Sequence, residues 1–514
     1  MRLITEHFRP YDLPLVALAC AMVVLYVAGA GGNFPLDDSW IHQVYARNLA
    51  QYGEWAFVPG QPSAASTSPL YTVLLSIGYS LGVPYLLWTH GLGAIALALT
   101  GLVGARLAER LNPGRYTGWA AGLALVLAWH LLWAAAAGME TMIFSLFTLV
   151  LIGLAWREAD ALEAGARAAA ARGAVFGVMA ALATLARPEG VTLAALIGAA
   201  LVIVRPQGWR ATFMWGLGAV LGFSLAIAPY LLLNLDLTGG LLPDTAAAKR
   251  EQAALLIALF SYPERVWNMF LPLLAGGQAL LLPGVVWYSA AVIGRARRDR
   301  RALLDLLPVA WAVWLVLLYA AWLPAPYQHG RYVIPALPAL IVCGVVGTVE
   351  LLQSARRTAG GRVVTRALSV AAALVFLYFG LIAGPTAYRR DVRIIDEEMV
   401  TAARWIAVNI PPQDLLAAHD IGAVGYFATR PLLDIAGLIN PEVVPIYHDR
   451  EALYELMRIR DARYLLAFPD QLPGEDVTDP RLCPVFTTDG QAAIGAGYQN
   501  MTVYALTWTG ICPD

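Results

Sequence analysis

Lysine is nearly absent from this sequence. Of its 35 basic side chains only Lys249 is a lysine, and all the others are arginine. Charge of either sign is scarce too, at 14% of 514 residues, where a soluble globular chain carries about 25%. That leaves too little polar surface for water and overrides the reading of several soluble domains that length alone suggests. A net charge of −1 removes any bulk electrostatic case for nucleic acid as a partner. Cysteine occurs four times, never in a CxxC or Cys/His spacing, so no zinc site is expected. Internal repeats and low-complexity linkers are missing as well. The Ala-rich stretch Ala159–Ala171 reads as a cytoplasmic helical connector.

What fills the chain is apolar: 59% of residues are hydrophobic, and mean hydropathy is +0.60. A helix needs about 20 such residues to cross hydrocarbon. Eleven runs qualify as spans: Leu13–Gly31, Leu86–Leu107, Tyr116–Ala136, Thr141–Trp156, Gly173–Ala186, Val191–Val204, Ala211–Leu233, Trp267–Ile293, Leu303–Leu323, Tyr332–Leu351 and Ala367–Gly384. Gly173–Ala186 and Val191–Val204 are short, and read equally as thin crossings or a re-entrant pair. The first run follows a polar Met1–Asp12 and lacks a convincing cleavage site, so it reads as a retained helix. Arginine clusters fall at Arg2/Arg9, Arg106/Arg110/Arg115, Arg157/Arg167/Arg172, Arg205/Arg210, Arg295–Arg301 and Arg356–Arg366. Eleven spans put all of them on one side, the cytoplasmic one by the positive-inside rule. The N-terminus is then inside and the C-terminus outside. Pro69–Gly82 is apolar too, but as a span it would invert most later clusters. It is read as a helix lying at the outer surface.

The polar C-terminal region, 386–514, reads as a small α/β domain on the outer face, after a transmembrane domain over 1–385 that includes an outward loop, 32–84. Expected strands are Leu415–Ala418, Pro431–Ile435, Tyr464–Phe468, Cys483–Thr487 and Thr502–Thr507, with helices at Glu397–Ile410 and Arg450–Arg460. Cys483 and Cys512 lie here, on an oxidising side, and are expected to pair. Cys20 and Cys343 sit in apolar runs as small core residues.

Outward segments carry the chemistry. Asp37 and Asp38 precede a helical pattern containing His42 and Tyr45. Capping explains one acid but not two, and a carboxylate there can also take a proton from a hydroxyl or bind a metal. Thr67 and Ser68 precede Pro69, which is a helix start and also a place for a phosphate. Glu140 opens the span Thr141–Trp156, where the helix dipole favours an acid in any protein. Arg187 and Glu189 either pair or let the guanidinium hold a phosphate. Lys249 closes the segment Pro243–Lys249. His329 and Arg331 begin a span on the outer side, against the basic bias, which suits a lipid head group or a phosphate clamp. His419, Asp420 and Asp434 follow expected strands, where polar groups either line ligand sites or cap turns.

Together these pieces resemble a family. Asp37-Asp38-Ser39 with Tyr45-Ala46-Arg47-Asn48-Leu49, Thr67-Ser68-Pro69-Leu70, Gly138-Met139-Glu140-Thr141, Arg187-Pro188-Glu189-Gly190, Pro243 to Lys249, Arg331-Tyr332, and His419-Asp420 through Gly437-Leu438 occur in the order seen in GT-C glycosyltransferases. The set is most similar to the terminal arabinofuranosyltransferases of mycobacteria and their bacterial relatives, and more distantly to aminoarabinose and protein mannosyl transferases. Each motif is short; the ordered set is specific. Relatives tend to carry Asn and aromatics before the lysine, where this chain has Asp244 to Ala248, and that leaves the donor sugar open.

The resemblance implies a polytopic helical GT-C enzyme that moves a sugar from a polyprenyl phosphate to a cell-envelope glycan or glycolipid, with inversion. It suggests arabinofuranose as the sugar. It casts Asp38 as base, with Asp37 and Glu140 beside it. Lys249, Arg331, Arg187 and His329 would meet the donor phosphate; His42, Tyr45, Thr67, Ser68, Glu189, His419 and Asp420 would contact substrates. No cofactor or metal ligand is expected, though a divalent ion on the acids stays open. Two rival classes remain. A secondary transporter would show pseudo-symmetric halves and midplane charges, and neither is evident. A non-catalytic envelope-assembly protein on the same fold differs only in activity.

Overall fold

A computed structural model describes residues 9–114, 116–163, 168–206, 208–241, 245–356 and 358–512. Arg2, Arg115, Arg167 and Arg357 of the basic clusters, and Pro243 and Asp244, lie outside these residues. The chain forms two compact units. One comprises Met1–Val27, His90–Tyr230 and Leu256–Thr386; the other comprises Ala28–Thr89, Leu231–Leu255 and Ala387–Asp514.

The first unit is helical. Among the described residues of the whole chain, eight helices are long and apolar enough to cross a membrane. A ninth span results if Thr117–Leu127 and Trp129–Ala136, bent by 53°, count as one. Asp12–Ala28 and Gly190–Val204 are apolar but shorter. The protein is a multi-pass membrane protein. The bend falls at Ala128, whose backbone is extended (φ −66°, ψ 109°). It is held by the Trp129 indole N–H, which donates to the Ala275 carbonyl. Gly173–Ala186 extends back to Ala169 and gains a full span's length.

One expected span is not a single helix. Trp267–Ile293 is divided into a helix Tyr262–Phe270, two 3₁₀ turns over Leu271–Leu274 and Gly277–Leu281, and a helix Leu282–Ala296. Pro272 and Pro283 remove backbone donors. Gly276, at φ +147°, adopts a conformation that favours glycine. Hydropathy reads through such a break because every residue in it except Gln278 is still apolar or small.

The second unit takes in more than the C-terminal region. A short antiparallel hairpin, β1 (Ala56–Val58) and β2 (Gln61–Pro62), follows the helix Asp37–Tyr52. The main sheet contains β3 (Leu415–Ala418), β4 (Leu432–Asp434), β5 (Ala462–Ala467), β6 (Leu482–Thr487) and β7 (Thr502–Leu506), in the order β4-β3-β5-β7-β6. β3 pairs in parallel with β4 and β5; β7 is antiparallel to β5 and β6. Side chains alternate between faces, as the strand period requires. Leu416, Ala418, Leu432, Leu466 and Val503 enter one core, while Ala417, Leu433, Leu465 and Tyr504 enter another with Tyr454 and Met457. The first of these cores also contains Phe34, Trp40, Ile41, Val44, Tyr45 and Phe57 from the early loop. The sheet thus buries its face partly under the helix Asp37–Tyr52.

Pro69–Ser80 is a twelve-residue helix of this unit, beginning at the expected proline. Glu397–Ile410 is helical as expected but does not begin a helix: Gly384–Ile395 runs on through a wide π-helical turn, Asp396–Val400, into Thr401–Asn409. That turn places buried Glu398 to accept the Met501 N–H at 2.8 Å and an Asn500 amide N–H at 2.7 Å. Cys483 and Cys512 are joined by a disulfide, with Cα atoms 5.5 Å apart. Non-reducing peptide mass mapping of membrane-extracted protein should find this pair linked and Cys20 and Cys343 as thiols. Free thiols at 483 and 512 would contradict the pairing.

Candidate functional site

The helix Asp37–Tyr52 has its first two residues acidic, after an extended Leu36. The two carboxylates do different things. Asp37 is buried and accepts two backbone N–H groups, Gly422 at 2.6 Å and Ala423 at 2.7 Å. These are the leading donors of the short helix Gly422–Phe427, which has no intrahelical partner for them. A Cβ on Gly422 would fall 2.1 Å from the Asp37 carbonyl oxygen, so glycine is required for the approach. Burial and the neighbouring Asp420 and Asp38 carboxylates push the Asp37 pKa up to about 8, against the pull of the two N–H donors.

Asp38 stays reachable from solvent. Its carboxylate lies 3.7 Å from the Lys249 ammonium, and the two side chains are 26% and 27% exposed. Lys249 is carried by the helix Thr245–Gln252. That helix docks on the turn after β4: Ala248 is buried against Gly437, and the Gln252 amide donates to the Ala436 carbonyl at 3.2 Å. Asp434 shapes the turn by accepting the Ala436 and Ile439 N–H groups, both at 2.8 Å. The small residues that depart from the family pattern are therefore in part a packing requirement, since a bulkier side chain at 248 would meet the turn.

Other residues singled out in this unit lie buried or half-buried among its own elements. The Tyr45 hydroxyl bonds to Ser63 Oγ at 2.7 Å and accepts the Ala65 N–H at 3.0 Å, which pins the loop. His42 is buried edge-on to the Tyr71 ring, with centroids 5.4 Å apart. Ser68 is buried at the start of Pro69–Ser80, and Thr67 is half-buried. Arg47 donates to the Tyr426 carbonyl at 2.8 Å and lies over that ring. Its apolar, aromatic neighbourhood gave no local signal, because its partners are some 380 residues away.

After β3, His419 Nε2 is 3.3 Å from the Tyr447 hydroxyl and Nδ1 is 3.5 Å from Asp420. Asp420 also accepts the Gln471 amide at 2.7 Å. Burial alone would lower the imidazole pKa, but Asp420, Asp434 and Asp470 together outweigh it and raise it. Burial likewise pushes Asp434 up to about 6. Tyr447 and Gln471 join this cluster without any pattern in the sequence to mark them.

The remaining candidates, Glu140, Arg187, Glu189, His329 and Arg331, belong to the first unit. Arg187 is buried, and its guanidinium donates to Glu189 at 3.2 and 3.3 Å and to the Tyr319 hydroxyl at 2.7 Å. Glu140 lies 3.7 Å from it. The cation is thus matched by two carboxylates, one beside the start of each of two helices. Tyr319 was missed in an apolar run; a hydroxyl buried in a span was its one sign. Arg331 is buried, donates to the Tyr332 hydroxyl at 3.0 Å and lies over that ring at 4.9 Å. His329 adopts φ +59° and rests edge-on to Trp129 and Trp133, with centroids at 5.0 and 5.3 Å. Among the described residues, no three His, Cys, Asp or Glu side chains gather as a metal ion would need.

Residues 386–510 match a family described as a domain of unknown function, DUF8728. No curated protein matches the sequence. Among solved structures, ArnT from Cupriavidus metallidurans bound to undecaprenyl phosphate aligns over 98% of this chain and all (100%) of its own, with TM-score 0.60 and 16% identity. The oligosaccharyltransferase of Archaeoglobus fulgidus aligns over 99% of this chain and 75% of its own, with TM-score 0.54 and 12% identity. A mutant of the mycobacterial arabinofuranosyltransferase AftD aligns over 99% of this chain but 42% of its own, with TM-score 0.51 and 14% identity. At these identities the likeness is one of fold.

Asp37, Asp434 and His419 all hold protons more tightly when folded than in the unfolded chain. Their contribution to stability is therefore present at low pH and lost as pH rises: through about 6 for Asp434, through about 8 for Asp37, and above the ordinary value for His419. Thermal unfolding in detergent should show a lower Tm at pH 8.5 than at pH 6. Asp37→Asn presents an amide N–H₂ to one of the two backbone donors. It should destabilise by about 1–3 kcal/mol at pH 6 and flatten the pH dependence. Asp38→Asn should stay within about 0.5 kcal/mol. Equal effects from the two substitutions would refute the division of roles.

Proposed function

We propose that this protein is an inverting glycosyltransferase that moves a sugar from a polyprenyl-phosphate donor to a hydroxyl of a cell-envelope glycan or glycolipid. The observation that carries the reading is the Asp38–Lys249 pair: a solvent-reachable carboxylate at a helix start with the chain's one lysine 3.7 Å away. The fold it shares with ArnT, whose structure holds undecaprenyl phosphate, and with an arabinofuranosyltransferase supports a lipid-phosphate donor and makes arabinofuranose a reasonable first sugar to test.

Chemically, the acceptor oxygen attacks the anomeric carbon from the face opposite the phosphate. The new C–O bond forms as the bond from the anomeric carbon to the phosphate oxygen breaks, and the acceptor proton passes to Asp38. One base and an external leaving group give a single displacement with inversion. Charge grows on the departing phosphate, so a cation beside it lowers the transition state more than the ground state. Lys249 has that role here. Its ammonium is a compact charge on a flexible stem and can move from Asp38 to an arriving phosphate. Asp37, occupied by backbone N–H groups, fixes the helix from which Asp38 projects. Arg187, already matched by Glu189 and Glu140, holds the outward turn of its own unit.

The chemistry is tested with purified protein in nanodiscs, by transfer of label from a polyprenyl-phosphate sugar to a glycan acceptor. Asp38→Asn should be folded, bind donor and turn over at least about a hundredfold more slowly, the scale of a lost general base. Lys249→Ala should weaken donor binding at least about tenfold, the scale of one charge-assisted hydrogen bond; Arg331→Ala is measured alongside it. Near wild-type transfer by Asp38→Asn removes it as the base. A wild-type protein that transfers no polyprenyl-linked sugar returns the chain to the non-catalytic or transport classes.

The site belongs on the outer face of the membrane, with the N-terminus inside, because this orientation puts the arginine-rich loops in the cytoplasm. Cysteines introduced in the Arg295–Arg301 loop of intact cells should resist a membrane-impermeant maleimide, while cysteines in the loop after Tyr52 should react. Labelling of the Arg295–Arg301 loop from outside would invert the assignment.

A further inference from the structure

The first unit contains a cavity of about 910 Å³ that no step above uses. Its wall is built from Arg110 and Leu111, from Trp156 and Ala159 of the helix Thr141–Glu163, from the end of the helix Leu282–Ala296, and from the turn after it. Four guanidinium groups line it, those of Arg110, Arg295, Arg298 and Arg301, against two carboxylates, Asp299 and Asp305. Apolar side chains complete the wall. Trp156 is fixed there by its indole N–H, which donates to the Leu304 carbonyl at 2.9 Å.

The acids around the cavity hold the arginines in place without cancelling them. Asp160 pairs with Arg110 at 2.8 Å and also with Arg301, Glu163 pairs with Arg301, and Asp305 lies 3.3 Å from Arg295. Arg298 makes no ion pair among the described residues. On the wall itself four guanidinium groups face two carboxylates, a surplus of two. A concave basic wall between membrane-crossing helices, with apolar surface behind it, has the chemistry of a phosphodiester head group whose tails remain in the bilayer. A soluble anion would use the arginines but leave the apolar wall unfilled.

We propose that this cavity holds the head group of an anionic phospholipid, at the cytoplasmic face of the membrane that the arginine-rich loops mark. The inference rests on the cavity and on the orientation given by the basic loops, and is independent of the transferase reading. It is tested by native mass spectrometry of the full-length protein in detergent, titrated with phosphatidylglycerol, phosphatidylcholine or glycerol 1-phosphate. Phosphatidylglycerol should be retained and phosphatidylcholine lost. Arg298→Ala, at an exposed unpaired position where folding is not at risk, should weaken phosphatidylglycerol about fivefold, and with Arg110→Gln about 25-fold. Arg205→Ala, in another basic loop, should have no effect. Equal retention of the two lipids, an equal loss in Arg205→Ala, or no loss in the double variant would overturn the proposal. Glycerol 1-phosphate binding as tightly as the lipid would replace it with a soluble phosphate ligand.

Discussion

The second unit depends on one carboxylate meeting two backbone N–H groups. Asp37 sits at the start of the helix Asp37–Tyr52, and Gly422 and Ala423 start the helix after β3. The contact joins residues 385 positions apart. It satisfies donors that a buried helix start would otherwise leave bare, at a cost of about 1–3 kcal/mol each. Around it the aromatic surface closes: Trp40 packs on Phe34, Tyr426 and Phe427, and Arg47 grips the far end of the same short helix. With Asp37 held in this way, the direction of the adjacent Asp38, which lies 3.7 Å from Lys249, is fixed as well.

The charges of the two units are managed differently. Arg187 is buried with its donors taken by Glu189 and Tyr319 and with Glu140 close by, the full pairing that a buried cation needs. The Asp38–Lys249 pair is partly solvated and its geometry is loose at 3.7 Å, so exchange of the lysine to another anion costs little. Low exchange cost is what a substrate-binding cation requires and what a structural ion pair avoids. A planar fork suits fixed pairing, whereas a compact ammonium on four methylenes can change partners.

Much of this was legible along the chain, because membrane insertion writes itself locally: runs of apolar residues, and arginines in the loops between them. The strand positions of the second unit were legible too, since Leu415–Ala418 and Thr502–Leu506 are short apolar runs in an otherwise polar region. The break within Trp267–Ile293 was not, because Pro272 and Gly276 act on backbone geometry while hydropathy averages over them. Acidic and basic candidates could be named from their unusual placement at helix ends. Their partners could not, since an ion pair or a cap leaves no mark on the sequence between its members.

The sequence by itself determined that this protein crosses a membrane many times, that its motif order resembles that of GT-C glycosyltransferases, and that Asp37, Asp38 and Lys249 are out of the ordinary. Tertiary structure alone decided which of the two acids is committed to Gly422 and Ala423, that the helix bearing Lys249 docks on the turn after β4, and that Arg187 is matched by two carboxylates. The physical reason is range. Hydrophobic periodicity and loop charge act within a helix or a strand, so they can be read over 10 to 20 residues. The direction of a carboxylate is set by whichever donors the folded chain brings within 3 Å, and here those donors come from the other end of the molecule's sequence.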